Sequence, residues 1–276
     1  MNRRTFLQLS AGLPAAAALR PKTRHRTSPW GIERIGIQLY TVRSVLADDF
    51  EGTIRAVAGL GYQELEFAGY YDRNPEDIRA LLDELDMTAP AGHIGIEALR
   101  GDLAGVINTF LAMGHRYVVC PYLDANERTL EHYRQHAALF NEVGVACSEA
   151  GLQFAYHNHE FEFVETEGIV PYDLLLAETD PELVWMELDL FWVEAAQVSS
   201  VDLFTRAPGR FPLCHIKDMG PDAAMVAVGE GDIDFASILA HSEHAGLRHY
   251  FVEHDHPEDP MQSIATSIAH LQSLEF

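Results

Sequence analysis

Strand-like and helix-like segments alternate along this 276-residue sequence from about residue 33 to its end. Each strand candidate is a short run rich in β-branched and aromatic residues, and a segment with the apolar spacing of an amphipathic helix follows it. Helix-end signals agree: Asn74 and Pro75 open one helix candidate, and Gly61 and Gly114 close two others. The strand candidates are residues 35–42, 62–67, 87–94, 117–122, 154–159, 183–193, 211–217 and 249–254.

Eight such units in about 240 residues have the count and size of a (β/α)8 barrel, an α/β fold. No composition break or linker divides the units, so we predict a single TIM-barrel domain over residues 31–276. An open doubly wound sheet is the other arrangement of such units, but no GxGxxG turn follows the first strand candidate. In a barrel, the carboxyl ends of the strands carry the functional side chains.

The first 30 residues differ in composition from the rest. Arg3 and Arg4 lie in the stretch NRRTFLQ, ahead of the alanine-rich apolar residues 9–19. Paired arginines before a short apolar stretch of small residues are typical of a twin-arginine signal, and this stretch is too short for a permanent membrane span. We therefore predict a signal peptide and flexible leader over residues 1–30, the twin-arginine export machinery as a partner, and an exported, periplasmic protein.

Strong acidity excludes one class of partner. The formal net charge is −23 and the pI is about 4.8. A surface with this charge repels the phosphate backbone, so we predict no nucleic-acid partner.

Polar side chains cluster where the later strand candidates end. The stretch 154–163 reads FAYHNHEFEF and places His157 and His159 on one face of a strand. Buried carboxylates and imidazoles are costly unless they are paired or bind a metal. Further pairs that share a strand face are Glu187 with Asp189, His215 with Lys217, and Glu253 with Asp255.

Three of these residues form a candidate metal site. Asp189, His215 and Glu253 would converge at one barrel mouth as a mixed nitrogen and oxygen ligand set, which suits Mn²⁺, Co²⁺, Zn²⁺ or Mg²⁺. Alternatively, these three residues bind no metal, and each forms its own salt bridge in the core.

Six stretches in fixed order carry a resemblance to a known family: GIQLYTVR (36–43), YHNHEFEF (156–163), ELDLFWV (187–193), HIKDM (215–219), VGEGDIDF (228–235) and FVEHD (251–255). From residue 33 onward the chain resembles the xylose isomerase-like barrels, also called the sugar phosphate isomerase/epimerase family. The resemblance implies a divalent metal held at the ends of strands five to eight. On this sequence it assigns Asp189, His215 and Glu253 as ligands and places Lys217 close to a substrate oxygen.

One position departs from that family. Many members carry a metal-binding glutamate on strand five, where we align Ala155, and the ketohexose epimerases pair it with the strand-eight glutamate as two acid/base groups. The YHNH stretch is closer to the YHHH of the inosose dehydratases, which eliminate water beside a ketone. His157, Glu160 or Glu187 would supply the missing ligand or base, and we favour His157 as catalytic with Glu160 close by.

The resemblance implies an enolisation mechanism. The metal would polarise a carbonyl, His157 or Glu253 would take the α-proton, and Lys217 would steady the oxyanion. We therefore predict a divalent-metal-dependent isomerase or epimerase of a keto- or aldo-sugar, non-phosphorylated because no basic glycine-rich loop is present. The alternatives are a lyase or dehydratase acting on a 3-keto-glycoside or inosose-like substrate, and a non-catalytic sugar-binding protein.

A sugar or keto-glycoside would be the small-molecule partner, and whether the chain forms oligomers stays open. Metal-dependent endonucleases share this barrel, but they need a basic groove that this acidic chain lacks. Six side chains near the strand ends would line the substrate pocket: Tyr40, Glu66, His93, Tyr122, His159 and Trp192.

Overall fold

The computed structural model describes residues 31–276, and the twin-arginine prediction lies outside these residues. Eight parallel strands close into a barrel. Each strand pairs with the barrel strand before it and the barrel strand after it along the chain, and the last strand pairs with the first. The predicted (β/α)8 fold is therefore confirmed. The strands are β1 (Gly36–Gln38), β2 (Glu64–Phe67), β3 (Thr88–His93), β4 (Tyr117–Cys120), β5 (Gln153–His157), β6 (Val184–Asp189), β7 (Leu213–Ile216) and β8 (His249–Val252).

Helices surround the barrel, and an antiparallel hairpin of two short strands, Asp218–Met219 and Met225–Val226, follows β7. Within residues 31–276 no helix combines the length and the apolar composition needed to cross a bilayer. The helices are α1 (Arg43–Asp48), α2 (Phe50–Leu60), α3 (Pro75–Glu84), α4 (Ile96–Gly101), α5 (Leu103–Met113), α6 (Leu130–Glu149), α7 (Pro171–Glu178), α8 (Leu190–Ala195), α9 (Ser200–Arg206), α10 (Phe235–Leu239), α11 (Ser242–Ala245) and α12 (Pro260–Ser273).

Two strands, β1 and β6, end four residues earlier than the sequence predicts, because a polar side chain caps the backbone that follows. The Gln38 side-chain oxygen accepts a hydrogen bond from the Tyr40 amide at 3.0 Å and opens a short 3₁₀ helix. The Asp189 carboxylate accepts one from the Trp192 amide at 3.1 Å and opens α8. The residues after Gln38 and Asp189 therefore turn away from the barrel wall instead of extending it.

Apolar side chains fill the middle of the barrel. They form one buried cluster that lies below the polar strand ends. Phe251 fills so much of this layer that a Cβ atom on Gly36 would lie 2.5 Å from its ring, so β1 needs a glycine there. The cluster consists of Ala91, Tyr117, Val119, Ala155, Leu213 and Phe251.

Candidate active site

A cavity of about 420 Å³ opens at the carboxyl ends of the strands, where a barrel of this type carries its active site. Most of the predicted site residues reach it. Those that line it are Tyr40, His93, Tyr122, His157, His159, Lys217 and Glu253.

Four residues at the floor of the cavity bring their ligand atoms within 4.8 Å of one another: the partly buried His93 and the buried His157, Glu187 and His215, here called the deep set. Glu187 Oε2 lies 2.8 Å from His93 Nε2, 3.2 Å from His157 Nδ1 and 3.3 Å from His215 Nε2. Glu66 flanks the deep set, with Oε2 2.6 Å from His215 Nε2 and 3.3 Å from His93 Nε2. Glu66 is therefore a neighbour of the cluster and not, as predicted, a residue of the cavity wall.

A second group, the upper set, consists of Asp189, His215 and Glu253. Asp189 lies one pleat beyond Glu187 on β6. The structure thus brings together the three residues predicted as metal ligands. Lys217 Nζ lies against the same group, 3.0 Å from Asp189 Oδ2, 2.7 Å from Glu253 Oε2 and 2.9 Å from Asp255 Oδ1. His215 joins the two sets, because Nε2 faces the deep set while Nδ1 lies 2.7 Å from Glu253 Oε2.

Charges in this cluster perturb one another strongly. Burial lowers the pKa of His93, but Glu66 and Glu187 outweigh burial and raise the pKa to about 9. Burial and the neighbouring His215 lower the pKa of His157 to about 3. Burial raises the pKa of Asp189 to about 6 although Lys217 and His215 oppose that shift. Perturbations of this size are typical of functional sites.

The donor atoms fit a divalent metal. Glu66 Oε1 and Glu187 Oε1 are buried and accept no hydrogen bond, and Asp189 Oδ2 accepts none either, although Lys217 Nζ is close. Buried carboxylate oxygens without hydrogen bonds are costly unless a cation compensates them. Imidazole and carboxylate donors together suit Zn²⁺, Co²⁺ or Mn²⁺.

Ala155 does not lie at the level of the ligand atoms. It pairs with Trp185 and packs in the apolar layer, whereas His157, one pleat further on, pairs with Glu187. Our alignment of Ala155 with a strand-five ligand is therefore corrected, because strand depth in the barrel places His157 at that level. Glu160 is exposed and lies outside both sets, because a 3₁₀ helix begins directly after it, so the structure favours Glu187 over Glu160.

Trp192 stands behind the cavity wall. Its ring centroid lies 5.3 Å from that of His159, and Lys217 Nζ lies 5.6 Å from the Trp192 ring. Trp192 therefore supports His159 and Lys217, whereas we predicted that it would line the pocket itself.

Two supporting residues escaped the sequence analysis. Asn158 fixes Asp189 through its side chain, since Oδ1 accepts a hydrogen bond from the Asp189 amide at 3.1 Å. Glu162 is fully buried, accepts hydrogen bonds from the Tyr156 hydroxyl and, at 2.8 Å, from the His159 amide. The available signal was an acid between Phe161 and Phe163, which indicates a carboxylate inside an apolar segment.

No protein-family model matches the chain. The chain is 25% identical over 225 residues to the inosose dehydratase of Geobacillus kaustophilus, a match covering 67% of this chain and 72% of that protein. A sugar phosphate isomerase/epimerase structure from Parabacteroides distasonis superposes with a TM-score of 0.75 at 24% identity, covering 87% of this chain and 93% of that one. The structure of an IolI protein with a bound zinc atom superposes with a TM-score of 0.70 at 16% identity, covering 86% and 95%. The chain therefore has the fold of these structures, the xylose isomerase-like (β/α)8 barrel.

Proposed function

We propose that this chain is a divalent-metal-dependent isomerase or epimerase that removes and returns a proton beside the carbonyl of a non-phosphorylated keto- or aldo-sugar. The observation that carries this proposal is the pair formed by Lys217 and Glu253, which line the cavity directly above a group able to hold a metal. The likeness to a sugar phosphate isomerase/epimerase supports the same reaction class.

Glu253 is suited to act as the base and Lys217 as the group that stabilises the oxyanion. Burial opposes the charge on Lys217, but Asp189, Glu253 and Asp255 raise its pKa well above the usual value, so the amine stays protonated. Lys217 and His215 in turn hold the pKa of Glu253 well below its usual value against the effect of burial. When Lys217 turns toward a developing oxyanion, Glu253 loses that partner and becomes a better proton acceptor.

His157 is better suited to holding the site than to proton transfer. Its Nδ1 atom lies 3.2 Å from Glu187 and its Nε2 atom 3.6 Å from Asp189, so both nitrogens face buried carboxylates. Its low pKa keeps the ring neutral, which is the form that binds a metal. A divalent metal held beside it would supply a Lewis acid that lowers the barrier to removal of the α-proton.

The loop 228–233 supports a substrate without a phosphate group. The amides of Gly229, Gly231 and Ile233 already donate to the Asp218 carboxylate, at 2.8, 3.0 and 3.2 Å. These backbone groups are therefore committed within the protein and do not form a phosphate cradle.

Elimination is the second candidate reaction. The carboxylates that line the cavity, Glu253 and Asp255, both belong to the segment after β8 and approach from one side. A two-base epimerisation needs groups on opposite faces of the substrate, whereas elimination can proceed with one base and one acid. The likeness to an inosose dehydratase favours the same alternative.

Incubation of the metal-loaded protein in D₂O, with free ketohexoses and with a 3-keto-glycoside, tests the proposal. Deuterium at the α-carbon with inversion supports an epimerase, and an enone or a released aglycone supports a lyase. We expect Lys217→Met and Glu253→Gln to lose at least about 100-fold in rate, the usual scale for a general acid or base. His136→Gln is the matched control, because His136 is buried on α6 and its Nε2 atom bonds to the Glu127 carbonyl at 2.9 Å. Products without solvent deuterium would contradict the enolisation, and absence of any product would leave only a sugar-binding role.

A further inference from the structure

The upper set already contains a cation. Lys217 is almost completely buried, and its Nζ atom lies 3.0 Å from Asp189 Oδ2 and 2.7 Å from Glu253 Oε2. A metal bound by Asp189, His215 and Glu253 would need one oxygen of each of these carboxylates at about 2.0–2.2 Å. It would therefore lie beside a buried ammonium group, and the repulsion between the two cations is strong where water is excluded.

The deep set differs from the upper set in its electrostatics, because the carboxylates in and beside it have no ammonium or guanidinium partner in the part of the chain that the structure describes. Glu66 and Glu187 bring two negative charges, and the structure places no lysine or arginine within ion-pair distance of them among residues 31–276. Each carboxylate also keeps its Oε1 atom buried without a hydrogen bond. A divalent cation would bring both carboxylates a positive charge that the imidazoles of His93, His157 and His215 otherwise have to supply.

The separations in the deep set agree with one shared metal. Two ligands about 2.1 Å from the same ion, at tetrahedral or octahedral angles, lie about 3.0–3.4 Å from each other. Glu187 Oε2 lies 3.2 Å from His157 Nδ1 and 3.3 Å from His215 Nε2, and Glu66 Oε2 lies 3.3 Å from His93 Nε2. The shorter contacts, 2.8 Å between His93 and Glu187 and 2.6 Å between His215 and Glu66, need only small shifts of side chains.

We propose that the resident metal is held by the deep set, with Glu66 beside it, and that Lys217 is the permanent cation of the upper set. This placement differs from the Asp189–His215–Glu253 site that the sequence predicts. It refines the proposed function by naming the residues that hold the metal, and it rests on that function because the function is what requires a metal. His93 and His157 line the cavity, so the metal lies directly under its floor. Lys217 and Glu253 then stay free to face the substrate as a proton-transfer pair.

Metal content of conservative variants tests the placement. The purified protein and each variant are equilibrated with Zn²⁺ and, separately, with Co²⁺, and bound metal is measured by mass spectrometry. We expect about one equivalent in the wild-type protein and at least about a 10-fold weaker affinity in Glu187→Gln and His93→Gln, the scale for loss of a supporting or direct ligand. Asp189→Asn and Glu253→Gln should keep the metal, as should the control His136→Gln, which is remote from the site.

Retention of metal in Glu187→Gln and His93→Gln with loss in Asp189→Asn and Glu253→Gln would overturn the proposal. A wild-type protein that binds no metal would also overturn it. Circular dichroism identifies any variant that fails to fold, and the absorption spectrum of bound Co²⁺ should change in His157→Gln, which reports the ligand directly.

These measurements need no substrate and therefore separate the two proposals. If the metal binds in the deep set but no sugar takes up deuterium from D₂O, the proposed function is contradicted and the placement of the metal still holds. Sugar exchange that depends on a metal in the upper set would support the function and contradict the placement.

Discussion

Glu162 shows how one buried side chain orders the segment after β5. Its carboxylate accepts a hydrogen bond from the Tyr156 hydroxyl and another from the His159 amide at 2.8 Å. Because Tyr156 precedes His157 and Glu162 follows His159, these bonds close a loop around the residues that face the cavity. Burial raises the pKa of Glu162 to about 8, although hydrogen bonds oppose the shift, and the protonated form is therefore favoured in the folded state.

Glu162 should make stability fall as pH rises from about 4.5 to about 8. Its pKa in the folded state lies above the unfolded value, so its contribution is full below pH 4.5 and is lost as pH rises through about 8. Urea unfolding at several pH values should show this slope, at most about 1.4 kcal/mol per pH unit for one group. In Glu162→Gln the slope should flatten while the metal stays bound, and an unchanged slope would mean that another group is responsible.

At the scale of elements, Asp218 ties the hairpin after β7 to the loop 228–233. Both carboxylate oxygens accept backbone hydrogen bonds, from Met219 and Ile233 on one and from Gly229 and Gly231 on the other. The loop is tight: a Cβ atom on Gly231 would lie 2.3 Å from the Asp218 carboxylate itself. The hairpin begins directly after Lys217, and its Met225 Sδ atom accepts a hydrogen bond from the Asp255 amide at 3.1 Å.

Asp218→Asn should loosen this element, because the asparagine side chain has one acceptor oxygen, whereas four backbone N–H groups donate to the two oxygens of Asp218. We expect a loss of about 1–3 kcal/mol in the free energy of unfolding, as for buried hydrogen-bond donors left unpaired. Limited proteolysis should then cut within residues 220–233, which stay protected in the wild-type protein. The matched control is Asp222→Asn in the same hairpin, since Asp222 is exposed and asparagine tolerates its positive φ of 57°. Equal cleavage of both variants would contradict this role for Asp218.

The order of strands and the convergence of Asp189, His215 and Glu253 could be predicted, because alternation along strands and the barrel's polarity are encoded locally. The depth at which each side chain lies within the barrel could not be predicted. Ala155 and His157 share a face, and only the pairing of β5 with β6 shows which of them reaches the ligand atoms. The deep set also escaped prediction, because it joins side chains from β3, β5, β6 and β7 whose separations depend on how the barrel closes.

At the scale of the whole molecule, metal binding should stabilise the fold, because the deep set draws on strands spread around the barrel. Free metal at 100 times its dissociation constant adds about 2.7 kcal/mol to the free energy of unfolding, and chelation removes this contribution. Treatment with EDTA should therefore lower the Tm by about 5–10 °C for a domain of this size. Added Zn²⁺ should restore the Tm, and Glu187→Gln should show little response to either treatment. If EDTA leaves the Tm of the wild-type protein unchanged, the folded protein holds no metal that stabilises it.

Export is the remaining property of the whole molecule, and we propose the twin-arginine route. A site assembled from several barrel strands exists only in the folded chain, so a route that carries folded proteins would preserve a metal loaded before export. Arg3→Lys combined with Arg4→Lys should leave the protein in the cytoplasm, because paired arginines are the feature of the sequence that this route reads. Arg24→Lys combined with Arg26→Lys removes as many arginines outside the motif and should be exported normally. Fractionation of cells that express each variant measures the outcome, and export of the Arg3/Arg4 variant at the wild-type level would rule out the twin-arginine signal.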